Sequence, residues 1–196
     1  MTDVGVQDAI APLTSVMHST ATTLNMILLR TQVYCTQTYL DSDAVSYLNV
    51  SVPPTSQVNT KFYLESSFNV SVDTSQFTGC GVSLYGGVFW LAAGTPFYDA
   101  HSTYDSNSGG YGGVFNVQAS RLEMFKTTLE ANQAWRGGVI ELRDSSYFKG
   151  YGVSVKGNLA YSSAGGIYIS SYSYMDLTES YLTSNSAPEN SAVEVL

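Results

Sequence analysis

The sequence predicts an all-β fold, a right-handed parallel β-helix built as a solenoid from coils of about 25–28 residues. Three recurring patterns predict it. First, a Gly pair comes before an apolar strand four times. Gly86-Gly87 leads into Val88-Phe89-Trp90-Leu91, Gly112-Gly113 into Val114-Phe115-Asn116-Val117, Gly137-Gly138 into Val139-Ile140-Glu141-Leu142, and Gly165-Gly166 into Ile167-Tyr168-Ile169. A degenerate copy, Ser191-Ala192, leads into Val193-Glu194-Val195-Leu196, so the copies start 26, 25, 28 and 26 residues apart. Second, an apolar residue, two spacers and Asn come before each pair: Tyr104 with Asn107, Leu129 with Asn132, Val155 with Asn158, and Leu182 with Asn185. In the earliest copy Phe77 is followed by Cys80 in the Asn slot. Third, seven residues upstream of these apolar residues stands another apolar set: Val70, Phe97, Leu122, Phe148 and Met175.

The physics follows from the period. Each coil supplies short strands that pair in parallel with those of the coils above and below, about 4.8 Å away. Val88, Val114, Val139, Ile167 and Val193 then form one wall of a continuous core. No coil buries its apolar face alone, so stability comes from neighbours. The Gly pairs mark tight corners where the backbone needs positive φ or close approach. The Asn set predicts an asparagine ladder in a turn, because Asn tolerates the left-handed conformation and stacked amides bond to one another. A three-strand coil is the expected cross-section. Hexapeptide periodicity and Leu-x-x-Leu-x-Leu are absent, which argues against a left-handed β-helix and a leucine-rich repeat.

The regular coils span residues 61–196 and stop in mid-coil, with Val193–Leu196 reading as the opening strand of another turn. That predicts a piece of a longer protein, with flanking coils or another protein at the open C-terminal end. Residues 1–60 are less regular and read as irregular coils or a cap. Tyr47–Val52 alternates like a strand, and Pro53-Pro54 suits a corner.

Composition narrows the function classes. Only 12% of residues are charged, while 44% are hydrophobic and 15 are Tyr, which favours pleated strands over helices or disorder. There is no apolar run of about 18 residues, so no membrane span is predicted. A net charge of −8, with eight scattered basic residues, makes nucleic acid an unsuitable partner. The acidic, Ser/Thr/Tyr-rich, Lys-poor character suits an extracellular or cell-surface setting. Cys35 and Cys80 carry no zinc spacing. Two buried thiols are the first reading. A disulfide is the alternative, and it is disfavoured because 45 residues is nearly two coils.

The GGVF, GGVI and GGIY segments, together with Leu-x-x-Asn-x-Ala, resemble the GGAI and FxxN repeats of chlamydial polymorphic outer membrane proteins. They are also similar to β-helix repeats in very large protist surface proteins. The likeness covers residues from about 61 to 196 and implies an extracellular β-helix used in adhesion or surface architecture.

Signals for chemistry are thin. Carbohydrate-active β-helices need carboxylates with Lys or Arg on one exposed strand of adjacent coils. Asp99, Glu123, Lys126, Arg143, Asp144, Lys149, Asp176 and Glu179 are spread over different coil positions, and Glu141 and Glu194 share a column two coils apart. Glu123, Lys149 and Asp176 nearly share a column, which reads as a salt-bridged surface ladder before an active site. His18 and His101 are isolated, and Gly109–Gly113 reads as a coil corner rather than a phosphate loop. Asn49-Val50-Ser51 and Asn69-Val70-Ser71 are candidate glycosylation sequons. Tyr147, Tyr151, Tyr161, Tyr172 and Tyr174 suggest an outer aromatic stack. The expectation is a non-enzymatic structural or adhesive segment, a rigid fibre or spacer, with no catalytic residue, metal or cofactor and with glycans as candidate partners. The alternatives are a carbohydrate-binding or polysaccharide-degrading β-helix and a structural component buried in a larger assembly.

Overall fold

A computed structural model describes residues 69–81 and 84–196, and also the strands Asn25–Leu29, Gln32–Tyr34, Ser46–Tyr47 and Phe62–Glu65. Every strand pairing is parallel, and the strands stack as a β-solenoid. Sheet I stacks Asn25–Leu29, Asn69–Asp73, Pro96–Ala100, Arg121–Phe125, Tyr147–Tyr151 and Tyr174–Thr178. Sheet II stacks Gln32–Tyr34, Gln76–Thr78, Thr103–Asp105, Thr128–Glu130, Ser154–Lys156 and Tyr181–Thr183. Sheet III is short, with Ser108–Tyr111, Gln133–Arg136 and Leu159–Ser163. Sheet IV runs from Ser46–Tyr47 and Phe62–Glu65 through Phe89–Ala92, Phe115–Gln118, Ile140–Arg143 and Ile167–Ile169 to Val193–Val195. The central coils therefore carry four strands, not three. Sheet III takes in Gly109, Gly110 and Tyr111, so the corner expected at 109–113 is narrowed to Gly112-Gly113. Among the described residues no helix is long and apolar enough to cross a membrane.

The core follows the predicted columns. Val70, Phe97, Leu122, Phe148 and Met175 are in register, 27, 25, 26 and 27 residues apart. The first four are fully buried, which contributes roughly 1.5–3 kcal/mol each by removal of apolar surface from water. Aromatic rings fill the earlier coils. Phe77 stacks on Tyr104 at 4.9 Å and Phe89 on Phe115 at 5.3 Å, with Phe97 edge-on to Phe89 at 4.8 Å. Later coils place Leu129 and Val155 in the Phe77/Tyr104 column, and Ile140 and Ile167 in the Phe89/Phe115 column.

The corner from sheet IV to sheet I uses two residues in the left-handed region in some coils, such as Ala93-Gly94 and Asp144-Ser145, whereas the other three corners each turn on a single one. Between sheets I and II these are Thr74, His101, Lys126, Gly152 and Glu179, and between sheets II and III they are Gly79, Ser106, Ala131, Gly157 and Ser184. Between sheets III and IV they are Gly86, Gly112, Gly137, Ala164 and Asn190, with φ from 44° to 73°. Most of these residues are not Gly, and the strain is offset by the packing on either side.

The glycine pairs align differently from the sequence expectation in the last two coils. A Cβ on Gly87 would lie 2.0 Å from the Gly113 carbonyl oxygen, on Gly113 2.1 Å from that of Gly138, and on Gly138 2.0 Å from that of Gly165. Gly165 is thus the second member of its pair, and Ala164 is the first. Gly166 takes the position of Val139, whose N–H donates to the Gly166 carbonyl. Ile167 and Val193 accordingly stack on Ile140, not on Val139. The cause is one extra residue in Leu159–Ser163, seen as a register shift between Ala134 and Arg136.

Side chains at three corners bond along the axis. The backbone N–H of Cys80, Asn107, Asn132 and Asn158 each donates to the side-chain oxygen of the Asn one coil on, at 2.9–3.1 Å. Asn107, Asn132 and Asn158 also pass an Nδ2–H to the next Oδ1 at 2.9–3.1 Å. A hydroxyl column at the corner from sheet IV to sheet I links Thr95, Ser120, Ser146 and Ser173 in the same way. Another at the corner from sheet I to sheet II joins Ser75 to Ser102 and Val153 to Ser180.

The N-terminal region departs from the regular spacing. Asn25–Leu29 lies directly on Asn69–Asp73, a step of 44 residues (69 − 25), so one coil there is enlarged. Val33 stands opposite Phe77, so the strands Gln32–Tyr34 and Gln76–Thr78 are one coil apart although 44 residues (76 − 32) separate them. Cys80 is disulfide-bonded, which overturns the first reading of two thiols. The chain's one other cysteine, Cys35, lies outside the described residues. So do His18, Asn49 and Pro53-Pro54; Asn69 opens a strand of sheet I.

Candidate functional site

Polar and aromatic groups converge on the outer face of sheet IV. The strand pattern apolar–polar–apolar sends the second residue of each strand outward: Trp90, Asn116, Glu141, Tyr168 and Glu194 share that column. The predicted sharing of a column by Glu141 and Glu194 is found. The residues just before the corner into sheet IV, Tyr85, Tyr111 and Arg136, fold over this column. Tyr85 packs on Trp90 at 4.5 Å. The Arg136 guanidinium lies 5.1 Å from the Tyr111 ring and 4.1 Å from the Tyr168 ring. Arg143 covers Tyr85 at 4.8 Å and donates to Gln118 Oε1 at 3.0 Å.

Glu141 is fully buried and bonds Arg136 Nη2 through Oε1 at 2.5 Å. Burial pushes its carboxyl up, against the attraction of Arg136 and then Arg143. Glu141 Oε2, Asn116 Oδ1, Glu194 Oε2 and the Nε atoms of Arg136 and Arg143 are buried and make no protein hydrogen bond. The carboxylate is closed off from solvent, and its charge is spent on the guanidinium. The arrangement holds the edge of sheet III against sheet IV. None of Tyr85, Tyr111, Arg136 or Tyr168 stood out in the sequence. Their one shared signal is position: Tyr85, Tyr111 and Arg136 each immediately precede a Gly pair.

A second buried carboxylate lies inside the solenoid. Asp99 occupies a core column with Val72, Met124, Gly150 and Leu177. It accepts hydrogen bonds from Tyr104 Oη at 3.3 Å and from Thr127 Oγ1. Burial raises its pKa to about 6, against the hydrogen bonds from Thr127, Ser102 and Tyr104.

The other sequence candidates fall on the exposed outer face. Glu123, Lys149 and Asp176 do stand in one column of sheet I, where Glu123 pairs with its own-strand neighbour Arg121. Lys126 and Glu179 sit at left-handed corners, and Asp144 accepts from Gln118 at 2.8 Å. His101 bonds Asp73 at 3.2 Å and meets the Phe125 ring edge; its hydrogen bond lowers the Asp73 pKa. The tyrosines make no single stack. Tyr147 stacks on Tyr174 and Tyr151 on Phe125, whereas Tyr161 donates to Gln133 Oε1 at 3.0 Å and Tyr172 is almost wholly exposed. Among the described residues no group of three or more His, Cys, Asp or Glu is placed to hold a metal. Compared with known proteins, the chain matches no family model, no curated protein and no solved structure, so the likeness to chlamydial and protist repeats rests on motifs alone.

Proposed function

We propose that this chain is a non-enzymatic structural or adhesive β-helix segment of a larger extracellular or cell-surface protein, serving as a rigid fibre or spacer. The axial side-chain columns carry this reading. Asn107, Asn132, Asn158 and Asn185 act as an asparagine ladder that adds amide bonds to the sheets along the long axis, the direction in which a spacer bears load. The disulfide at Cys80 supports the location, because such bonds persist in oxidising compartments. The burial of Asp99 and Glu141 supports the absence of catalysis, since a general acid or base must reach its substrate. The strands of the last described coil each pair on one side, a geometry that flanking coils or a partner strand would extend.

A carbohydrate-binding role is the second reading. Trp135 (58% exposed) and Tyr161 (54% exposed) favour it, because they stand on sheet III with rings that stack on no other ring among the described residues. Incubation with polyuronates and neutral glycans, followed by product analysis and calorimetry, separates the readings. No cleavage is expected. Turnover of any glycan overturns the structural reading, and binding lost in Trp135→Ala favours the second.

A further inference from the structure

We propose that Tyr147 and Tyr174 form an oxidative cross-linking site, at which a peroxidase-type oxidant joins the two rings as dityrosine and bolts one coil to the next. The two residues are directly opposed in sheet I and point outward, since their neighbours Phe148 and Met175 point into the core. Their ring centroids are 4.5 Å apart with an interplanar angle of 26°. The guanidinium of Arg121, one coil earlier in the same column, lies 5.4 Å from the Tyr147 ring, so Tyr147 sits between Arg121 and Tyr174. Tyr174 is 60% exposed and within reach of an oxidant in solution.

No other described ring pair combines these properties. Tyr85 and Tyr111 are 5.7 Å apart and packed under Trp90, Arg136 and Arg143. Tyr151 faces Phe125, which has no phenol. Neighbouring strands hold the two side chains at the sheet spacing, so coupling needs only rotation of each ring about its Cβ–Cγ bond, a broad torsion.

The chemistry balances with hydrogen peroxide as oxidant and a haem peroxidase as catalyst. Each phenol gives up one electron and one proton to become a phenoxyl radical. The radicals couple through the ring carbons ortho to the oxygens, and the two hydrogens on those carbons move to the oxygens as the rings regain aromaticity. One carbon–carbon bond forms, two hydrogens are lost, and one peroxide becomes two waters.

The test treats the dilute, disulfide-intact chain with a haem peroxidase and hydrogen peroxide, reading dityrosine fluorescence, intact mass and cross-linked peptides. A monomer lighter by two hydrogens, with Tyr147 joined to Tyr174, is expected. Tyr147→Phe and Tyr174→Phe should each lower the fluorescence at least tenfold, and Tyr161→Phe should leave it unchanged. Circular dichroism checks that the variants keep their strands, and mapping in the unsubstituted protein decides the matter independently of them. No fluorescence in the unsubstituted protein, a bond mapped to other tyrosines, or cross-links found only in dimers overturns the proposal.

Discussion

Asn132 makes four side-chain hydrogen bonds in its column, as does Asn158, and removing it tests whether that column bears stability. Its Oδ1 accepts from Asn107 N at 2.9 Å and Asn107 Nδ2 at 3.0 Å, and its Nδ2 donates to the Tyr104 carbonyl at 3.0 Å and Asn158 Oδ1 at 3.1 Å. Asn132→Ala deletes these four bonds. Asn158 Oδ1 still accepts from the Asn132 backbone N–H and Asn107 Nδ2 still donates to the Phe77 carbonyl, so two groups, the Asn107 backbone N–H and the Tyr104 carbonyl, lose their side-chain partner in a buried setting. At about 1–1.5 kcal/mol per lost bond the cost is roughly 4–6 kcal/mol, a large share of an ordinary domain's stability. Asn185→Ala gives the internal comparison. It loses three bonds, all in a half-buried turn, and should cost about half as much. Urea unfolding followed by far-ultraviolet circular dichroism measures both. A cost below about 1 kcal/mol for Asn132→Ala, or a larger cost at Asn185, would refute the assignment of axial stability to this column.

Asp99 should make stability fall with rising pH. Its folded pKa of about 6 lies above the ordinary aspartate value of 3.8, so the native state holds the extra proton between those values and stability is lost as pH rises from about 4 to 6. The loss is about 3 kcal/mol at 1.36 kcal/mol per pKa unit; Asp99→Asn should recover much of it at pH 8 and little at pH 4, and an equal gain at both would count against it. Gly138→Ala places a Cβ 2.0 Å from the Gly165 carbonyl and should cost at least about 1–3 kcal/mol or block folding, as read by thermal melting. Arg136→Met strands the buried Glu141 carboxylate and should cost about 3–5 kcal/mol, whereas adding Glu141→Gln should restore most of it; a double variant no better than the single one would contradict the pairing.

The period was readable because stacking repeats the same physical demand in every coil. Val70, Phe97, Leu122, Phe148 and Met175 must all be apolar, and Asn107 through Asn185 must all bond along the axis. The hydroxyl columns escaped notice because Ser and Thr are common everywhere in this chain; only the geometry picks out Thr95, Ser120, Ser146 and Ser173. The slip at Gly165-Gly166 was hidden because Ala164 supplies the left-handed corner that glycine suggested. The cysteine spacing misled because it assumed uniform coils, and one coil is enlarged. The outer cluster around Arg136 and Glu141 was unreadable in principle from columns alone. It forms between residues on two sheets, across a corner, and its members alternate between ring, guanidinium and carboxylate.

The hydroxyl column between sheets I and II has a gap in it. Thr127 turns its hydroxyl to Asp99, and Val153 has none to offer, so two successive rungs are missing in the middle of the stack. In an array coupled only between nearest neighbours, a weakened junction sets where cooperativity breaks. Pulling or denaturant should therefore part the solenoid into two blocks between the coil of Ser102 and the coil of Val153. Amide protons there should exchange before those on either side. A carboxylate that loses its proton near neutral pH would widen that fracture line, so the same residue governs how strong the protein is and where it fails.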